Sequence, residues 1–143
     1  MNYVNGFLFR RDGDEVALIE KKNPEWQRGR LNGVGGKIEE NETPHQAMQR
    51  EFKEETGADV EEWEMFATLN HSGHVIYFFV AHGHRHLRSI TEEEVNWYFV
   101  EDLNEHPLTN KIIDNLRWLI PLALDPDKLT VTIHDQTALR EKS

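Results

Sequence analysis

Glu51, Glu54 and Glu55 stand at i, i+3 and i+4 in the run REFKEE. On a helix those positions share one stripe, with Cβ atoms roughly 5–6 Å apart, so the three carboxylates repel one another unless a counter-charge sits among them. Hard divalent cations such as Mg²⁺, which take oxygen ligands at about 2.0–2.1 Å, are natural counter-charges for such a stripe. The other reading is an acidic face turned to solvent, which the triplet alone does not exclude.

The stripe exists only if its segment is helical, and the flanking residues predict that it is. Thr43 with Gln46 three residues on is a capping box, Pro44 suits the first helical position, and Gly57 is a natural stop, giving a helix over 44–56. Ahead of it, Val34–Ile38 (VGGKI) is too rich in Gly for a regular strand interior; its paired glycines predict a backbone that bends or lets something approach closely. Residues 2–10 and 15–20 read as strands around the turn RDGD, a hairpin or meander, with a loop over 22–33. Residues 62–70 and 74–82 read as two more strands joined at Ser72-Gly73, followed by a polar loop over 83–93 and a short strand, Val95–Val100. Thr109–Leu124 carries Ile112, Ile113, Leu116, Leu119 and Ile120 at helical spacing, and Pro121 should kink or shorten that helix. The stretch 129–133 (LTVTI) is either an edge strand or disordered. Strands followed by helices on both sides of a sheet predict an α/β sandwich.

Composition bounds what such a stripe can serve. The chain has 143 residues, which fits one domain over 1–143. Its longest apolar stretch, Val75–Ala81, is far short of the roughly 20 residues of a membrane span, and MNYVNGFLFRRDGDE shows no secretory signal. With no Cys, disulfides and thiol catalysis are excluded and a reducing, cytoplasmic setting is expected. A net charge of −10 argues against long DNA or RNA as a ligand. A small phosphate compound is still allowed, because divalent metal neutralises both it and the carboxylates.

The spacing around the triplet is more specific: Gly36, then Glu42, then Arg50-Glu51, Glu54-Glu55 and Gly57. The run GKIEENETPHQAMQREFKEETGA, Gly36–Ala58, resembles the box of the Nudix hydrolases: Gly, five residues, Glu, seven residues, then Arg-Glu-apolar-any-Glu-Glu-any-Gly-apolar. Every fixed letter matches. Phe52 is bulkier and Ala58 smaller than usual at the two apolar positions, departures that touch packing rather than ligands. The resemblance implies a Nudix-type α/β/α sandwich, with a mixed curved sheet between helices, that cleaves a pyrophosphate linkage. It further implies that Glu51, Glu54 and Glu55 hold Mg²⁺, with Mn²⁺ able to substitute, joined by the backbone carbonyl of Gly35. Arg50, a planar five-donor group, would position Glu51, and the general base would be Glu51, Glu54 or Glu55. Glu42 becomes a supporting partner at the helix approach, and Glu92 or Glu93 a further ligand from outside the box.

The substrate is written elsewhere. LNGVGGKIEENETP looks like the corresponding segment of MutT-type members, which act on nucleoside triphosphates, with Gly36 and Lys37 against the substrate. Asp114 and Asn115 would read a base edge and Trp118 stack on it, since an amide offers both a donor and an acceptor. Tyr77 keeps a dinucleoside polyphosphate substrate open, and a nucleotide sugar is a further candidate. A non-catalytic nucleotide-binding module would fit the same fold, but the intact REFKEE argues against it. Whether the domain is a monomer or a homodimer is left open by the sequence. His82, His84 and His86 alternate and would share a strand face as a metal site; with Gly83 and Arg85 between them, they read instead as an exposed exit from a strand.

Overall fold

The computed structural model describes residues 1–127 and 130–134. Strand β1 (Asn2–Phe9) is the spine of a mixed sheet. One edge pairs in parallel with β6 (His74–His82), from Asn2 opposite Val75 to Phe9 opposite His82. The other edge is shared. Strand β4 (Val34–Lys37) takes Tyr3–Gly6, and β2 (Glu15–Glu20) meets it at Phe9 opposite Val16. Outside these lie β3 (Leu31–Asn32) and β7 (Val95–Phe99), both on β2, and β5 (Glu64–His71) on β6, with β8 (Val131–His134) parallel to β5 at the edge.

Alternation along the central strands explains why there are two helical layers. Phe7 and Phe9 of β1, Val16 and Leu18 of β2, and Phe78 and Val80 of β6 face α2 (Leu116–Leu124) through Leu116, Leu119, Ile120 and Ala123. The intervening Val4, Leu8, Ala17, Ile19, Phe79 and Ala81 face α1 (Pro44–Thr56) through Ala47, Met48 and Phe52. Strands buried on both faces read as continuous apolar runs, which is how β1, β2 and β6 look in the sequence. The expected α/β/α sandwich is the result. Phe52 sets its ring edge-on to Trp63 at 5.2 Å, so the bulky residue in the box fills a gap left by an aromatic partner.

Several local expectations change. Val34–Lys37 is a regular strand despite its glycines, because a Cβ on Gly35 would run into the Val4 carbonyl of β1 and only Gly lets the two backbones pair so closely. The second helix starts at Leu116 rather than Thr109. Ile112 and Ile113 precede the helix and pair with β3 through their backbone, with Leu31 N–H donating to the Lys111 carbonyl at 2.9 Å and Ile113 N–H to that of Leu31 at 3.0 Å, while their side chains join the cluster under α2. Pro121 lies inside α2 on its exposed side without ending it. The 22–33 loop contains a 3-10 turn at Glu25–Gln27 as well as β3. Of the ambiguous tail, 131–134 form the edge strand, and Leu129 lies outside the described residues. Among the described residues no helix is long and apolar enough to cross a membrane.

Candidate active site on the acidic face of the first helix

The capping box is present in full. Thr43 Oγ1 accepts from Gln46 N–H at 3.1 Å, Gln46 Oε1 accepts from Thr43 N–H at 2.9 Å, and Gly57 closes the helix with φ 79°. This fixes the rotation of α1 against β4. Gly36 faces the Glu51 carboxyl, where a Cβ would come within 2.5 Å of the carboxyl carbon. The paired glycines therefore serve two purposes: Gly35 admits β1, and Gly36 admits the carboxylate.

The three carboxylates are not equivalent. Glu51 is 14% exposed and Glu54 58% exposed, so the stripe turns from the sheet outward across one helical turn. Arg50 organises it. Its Nε donates to Glu42 Oε2 at 2.7 Å and Nη2 to Glu42 Oε1 at 2.9 Å; Nη2 also reaches the Lys37 carbonyl at 3.0 Å. Nη1 donates to Glu51 Oε1 at 2.9 Å and Glu54 Oε2 at 3.3 Å. The bidentate partner of Arg50 is thus Glu42, and Glu51, the partner expected from the sequence, receives a single bond.

Charge follows geometry. The bonds from Arg50 hold the Glu42 carboxyl below its usual range and raise the guanidinium in turn. At Glu51 burial wins over Arg50 and the carboxyl moves up. Glu55 is pushed up to about 8, first by burial and then by the neighbouring Glu51 charge, with Lys21 pulling the other way. Its Oε2 is buried without a hydrogen-bond partner. An orphaned acid oxygen beside a second buried carboxylate is what a hard oxygen-seeking cation would satisfy, so the donor set fits such an ion. Among the described residues no three acids or histidines converge into a ready-made cage. Arg50 draws Glu51 and Glu54 to itself.

The two acids expected to ligate from outside the box separate. Glu92 is exposed, whereas Glu93 lies against Lys21, which donates to it at 3.1 Å. Burial opposes the charge on Glu93, but donors from Lys22, Lys21 and Asn23 outweigh it and hold the carboxyl low.

Two hollows border the loop 21–30, and the first of them also borders the glycine strand that faces Glu51. One, of about 270 Å³, is lined by Asn5, Lys21, Asn32, Gly35, Gly36 and Lys37. The other, of about 320 Å³, is lined by Trp26, Arg30, Ile113, Asp114 and Asn115. A model described as NUDIX domain matches residues 2–119. The chain belongs to the NUDIX domain family.

Curated relatives of this NUDIX domain include the 8-oxo-dGTP diphosphatase of Escherichia coli, 31% identical over 64 residues, covering 45% of this chain and 50% of that protein. The oxidized purine nucleoside triphosphate hydrolase of Mus musculus is 38% identical over 64 residues, covering 45% and 37% respectively. The aligned stretch thus spans half or less of these relatives. The solved structure of the MutT protein from Bacillus halodurans is similar over 93% of this chain and 88% of that one, with 25% identity and a TM-score of 0.71.

Within the NUDIX domain, the residues expected to read a base divide. Asn115 lines the second hollow with its Oδ1 buried and unpartnered, while the Asp114 side chain is 93% exposed, 4.0 Å from Arg30. Because α2 begins at Leu116, Asp114 and Asn115 precede the helix that carries Trp118. Trp118 is 41% exposed on the first turns of α2 and is not among the residues lining the hollow. Tyr77 packs into the cluster under α1. His82, His84 and His86 are exposed, His82 stacking on Phe9 at 5.7 Å.

Sequence reasoning missed Asn5, Lys21, Trp26, Arg30 and Asn32. Asn5 had a signal, a polar residue inside an apolar strand; its Oδ1 is buried and unpartnered and its Nδ2 donates to Asn32 Oδ1 at 3.3 Å. Trp26, 67% exposed in a polar loop, had another.

Proposed function

We propose that this single domain hydrolyses a pyrophosphate linkage of a nucleoside triphosphate, giving a nucleoside monophosphate and pyrophosphate, in a cytoplasmic nucleotide pool. The observation that carries the reading is the acidic stripe in which Arg50 orders Glu51 and Glu54, Glu51 lies against the glycine strand, and Glu55 keeps one oxygen buried and unpaired. Glu51, Glu54 and Glu55, with the Gly35 carbonyl, would hold Mg²⁺ or Mn²⁺. Such an ion neutralises phosphate charge and lowers the pKa of a bound water. The chain's own residues do the rest. Arg50 fixes the rotamers of Glu51 and Glu54 while braced on Glu42 and the Lys37 carbonyl. Glu51 or Glu55, both raised by burial, is placed to hold a proton on a carboxyl oxygen as a general base must. Lys37 and Lys21, at the rim of the first hollow, offer positive charge to phosphate.

For the base, the unpaired Asn115 Oδ1 and the flat face of Trp26 in one hollow suit a purine, donor to acceptor and ring to ring. The names of the curated relatives point to an oxidised purine. The test is pyrophosphate release from the four deoxynucleoside triphosphates and 8-oxo-dGTP, with and without Mg²⁺. Metal-dependent release that favours the oxidised nucleotide is expected, and equal release in EDTA would overturn the reading.

A further inference from the structure

The segment 88–95 straps across the C-terminal end of α1. Arg88 N–H donates to the Thr56 carbonyl at 2.9 Å and Ile90 N–H to that of Glu55 at 3.3 Å. Ser89 Oγ accepts from Val95 N–H at 2.9 Å, and Thr91 Oγ1 from Glu93 N–H at 3.2 Å. Held this way, the Glu93 carboxylate is 12% exposed and both its oxygens are engaged. Oε1 accepts from Lys21 Nζ at 3.1 Å; Oε2 accepts from Lys22 N–H at 2.6 Å and Asn23 N–H at 3.2 Å.

The donors matter because of where they lie. Strand β2 ends at Glu20, so Lys22 and Asn23 have left the ladder and their N–H groups need an acceptor from elsewhere. Just beyond them the chain carries Trp26, Gln27 and Arg30 into the walls of the two hollows. The loop closes on itself at its root, with Lys21 N–H to the Arg30 carbonyl and Gly29 N–H to the Lys21 carbonyl, both at 2.8 Å. A loop closed at its root moves as a unit, and Glu93 fixes that root to the end of the acidic helix. A cation ligated by Glu93 would have to share it with the ammonium of Lys21, a like charge in direct contact.

We propose that Glu93 is a positioning residue that anchors the substrate loop 21–30 to the acidic helix, and not a metal ligand. The inference rests on the functional reading above, in which that loop walls the nucleotide site.

Glu93→Ala in the full chain tests it by amide hydrogen exchange, Mn²⁺ titration and nucleotide kinetics. Exchange at Lys22 and Asn23 should quicken about tenfold or more, because their shared acceptor is gone. Mn²⁺ affinity should stay within about threefold, and KM for dGTP should rise about tenfold with kcat within about threefold. A tenfold loss of Mn²⁺ affinity, or unchanged exchange at Lys22 and Asn23, would overturn the proposal. Should Glu93→Ala not fold, Glu93→Gln keeps the volume and removes the charge that strengthens both amide bonds. It should quicken the same amides at unchanged Mn²⁺ affinity, and unaltered exchange would again overturn the anchor. The exchange and Mn²⁺ measurements need no turnover. A chain that hydrolyses no triphosphate therefore defeats the functional reading while the anchor is still decided.

Discussion

Arg50 grips Glu42 with two donors, at 2.7 and 2.9 Å, and reaches Glu51 with one, at 2.9 Å. Glu42 lies eight residues before Arg50, outside the helix, so the box is cross-braced from the loop that precedes α1 rather than from within the helix. Glu42 also accepts the Glu39 N–H at 3.0 Å, tying that loop to the same guanidinium. The acid at the head of the box and the arginine near its end are one mechanical unit.

That unit makes Arg50→Lys a sharp test. A lysine keeps the charge but has a single nitrogen, which cannot span Glu42, Glu51, Glu54 and the Lys37 carbonyl together. Turnover is expected to fall about ten- to a hundredfold, with Glu42→Ala close behind and the double variant no worse than the worse single one. Additive losses in the double-mutant cycle would mean that the two side chains act separately.

Gly36→Ala separates site from scaffold. The added Cβ would lie 2.5–2.6 Å from the Glu51 carboxyl atoms, the far end of a flexible side chain, so the fold adjusts by moving Glu51. The melting temperature should shift by only about 2–4 °C while turnover drops by about two decades. At Gly35 the same substitution strikes the β1 backbone, and destabilisation should dominate there. Thermal melts alongside initial rates for both variants check this, and a Gly36→Ala enzyme of normal activity would remove Glu51 from the site.

Much of this was legible in the sequence because it is local. A capping box, a proline at the first helical position and a glycine stop define α1 from adjacent residues alone, and the box spacing sets the four candidate site residues, Arg50, Glu51, Glu54 and Glu55, on that helix. What was not legible depends on residues far apart in the chain. Ile112 and Ile113 carry a helical period yet pair through their backbone with Leu31, about 80 residues earlier, and no spacing within 109–124 encodes that partner. Which of Glu92, Glu93 and Glu94 turns inward depends on the acceptor needs of Lys22 and Asn23, about 70 residues earlier, and no spacing within TEEEVNW encodes that. The inequality of Glu51 and Glu54 likewise comes from the packing of α1 against β4.

The raised Glu55 predicts how stability depends on pH. Burial and the neighbouring Glu51 charge push its carboxyl up to about 8 in the folded chain against an ordinary 4.5. Between those values the folded state holds a proton that the unfolded state has released, so this contribution is complete below 4.5 and is lost as pH rises through about 8. Metal-free protein should therefore melt lower at pH 8.5 than at pH 5.5, and Glu55→Gln should close most of that gap. Mg²⁺ should raise the melting temperature of the parent at pH 8.5, increasingly with concentration, and leave Glu55→Gln nearly unmoved. A parent whose melting point at pH 8.5 ignores both Mg²⁺ and the substitution would show that Glu55 is neither buried nor a ligand.

The proposed base reading yields the last prediction, which sets two neighbours apart. Asn115 has a buried carbonyl oxygen with no donor, whereas Asp114 is open to water and 4.0 Å from Arg30. If a purine N–H or amino group supplies the missing donor, Asn115→Ala leaves a polar atom of the bound base unpaired. That costs roughly 1–3 kcal/mol, or about one to two decades in kcat/KM. The loss should be concentrated on the preferred purine and shrink for pyrimidine nucleotides, which cannot reach the same contact. Asp114→Ala should change every nucleotide by less than about threefold, because a solvated side chain loses little when removed. Trp26→Ala should weaken all purines together, since stacking is indifferent to the base edge. The measurement is kcat/KM for each variant on the four deoxynucleoside triphosphates and 8-oxo-dGTP. Equal ratios across that panel for Asn115→Ala would move base selection from the second hollow to the first, where Asn5 Oδ1 is likewise a buried amide oxygen without a donor.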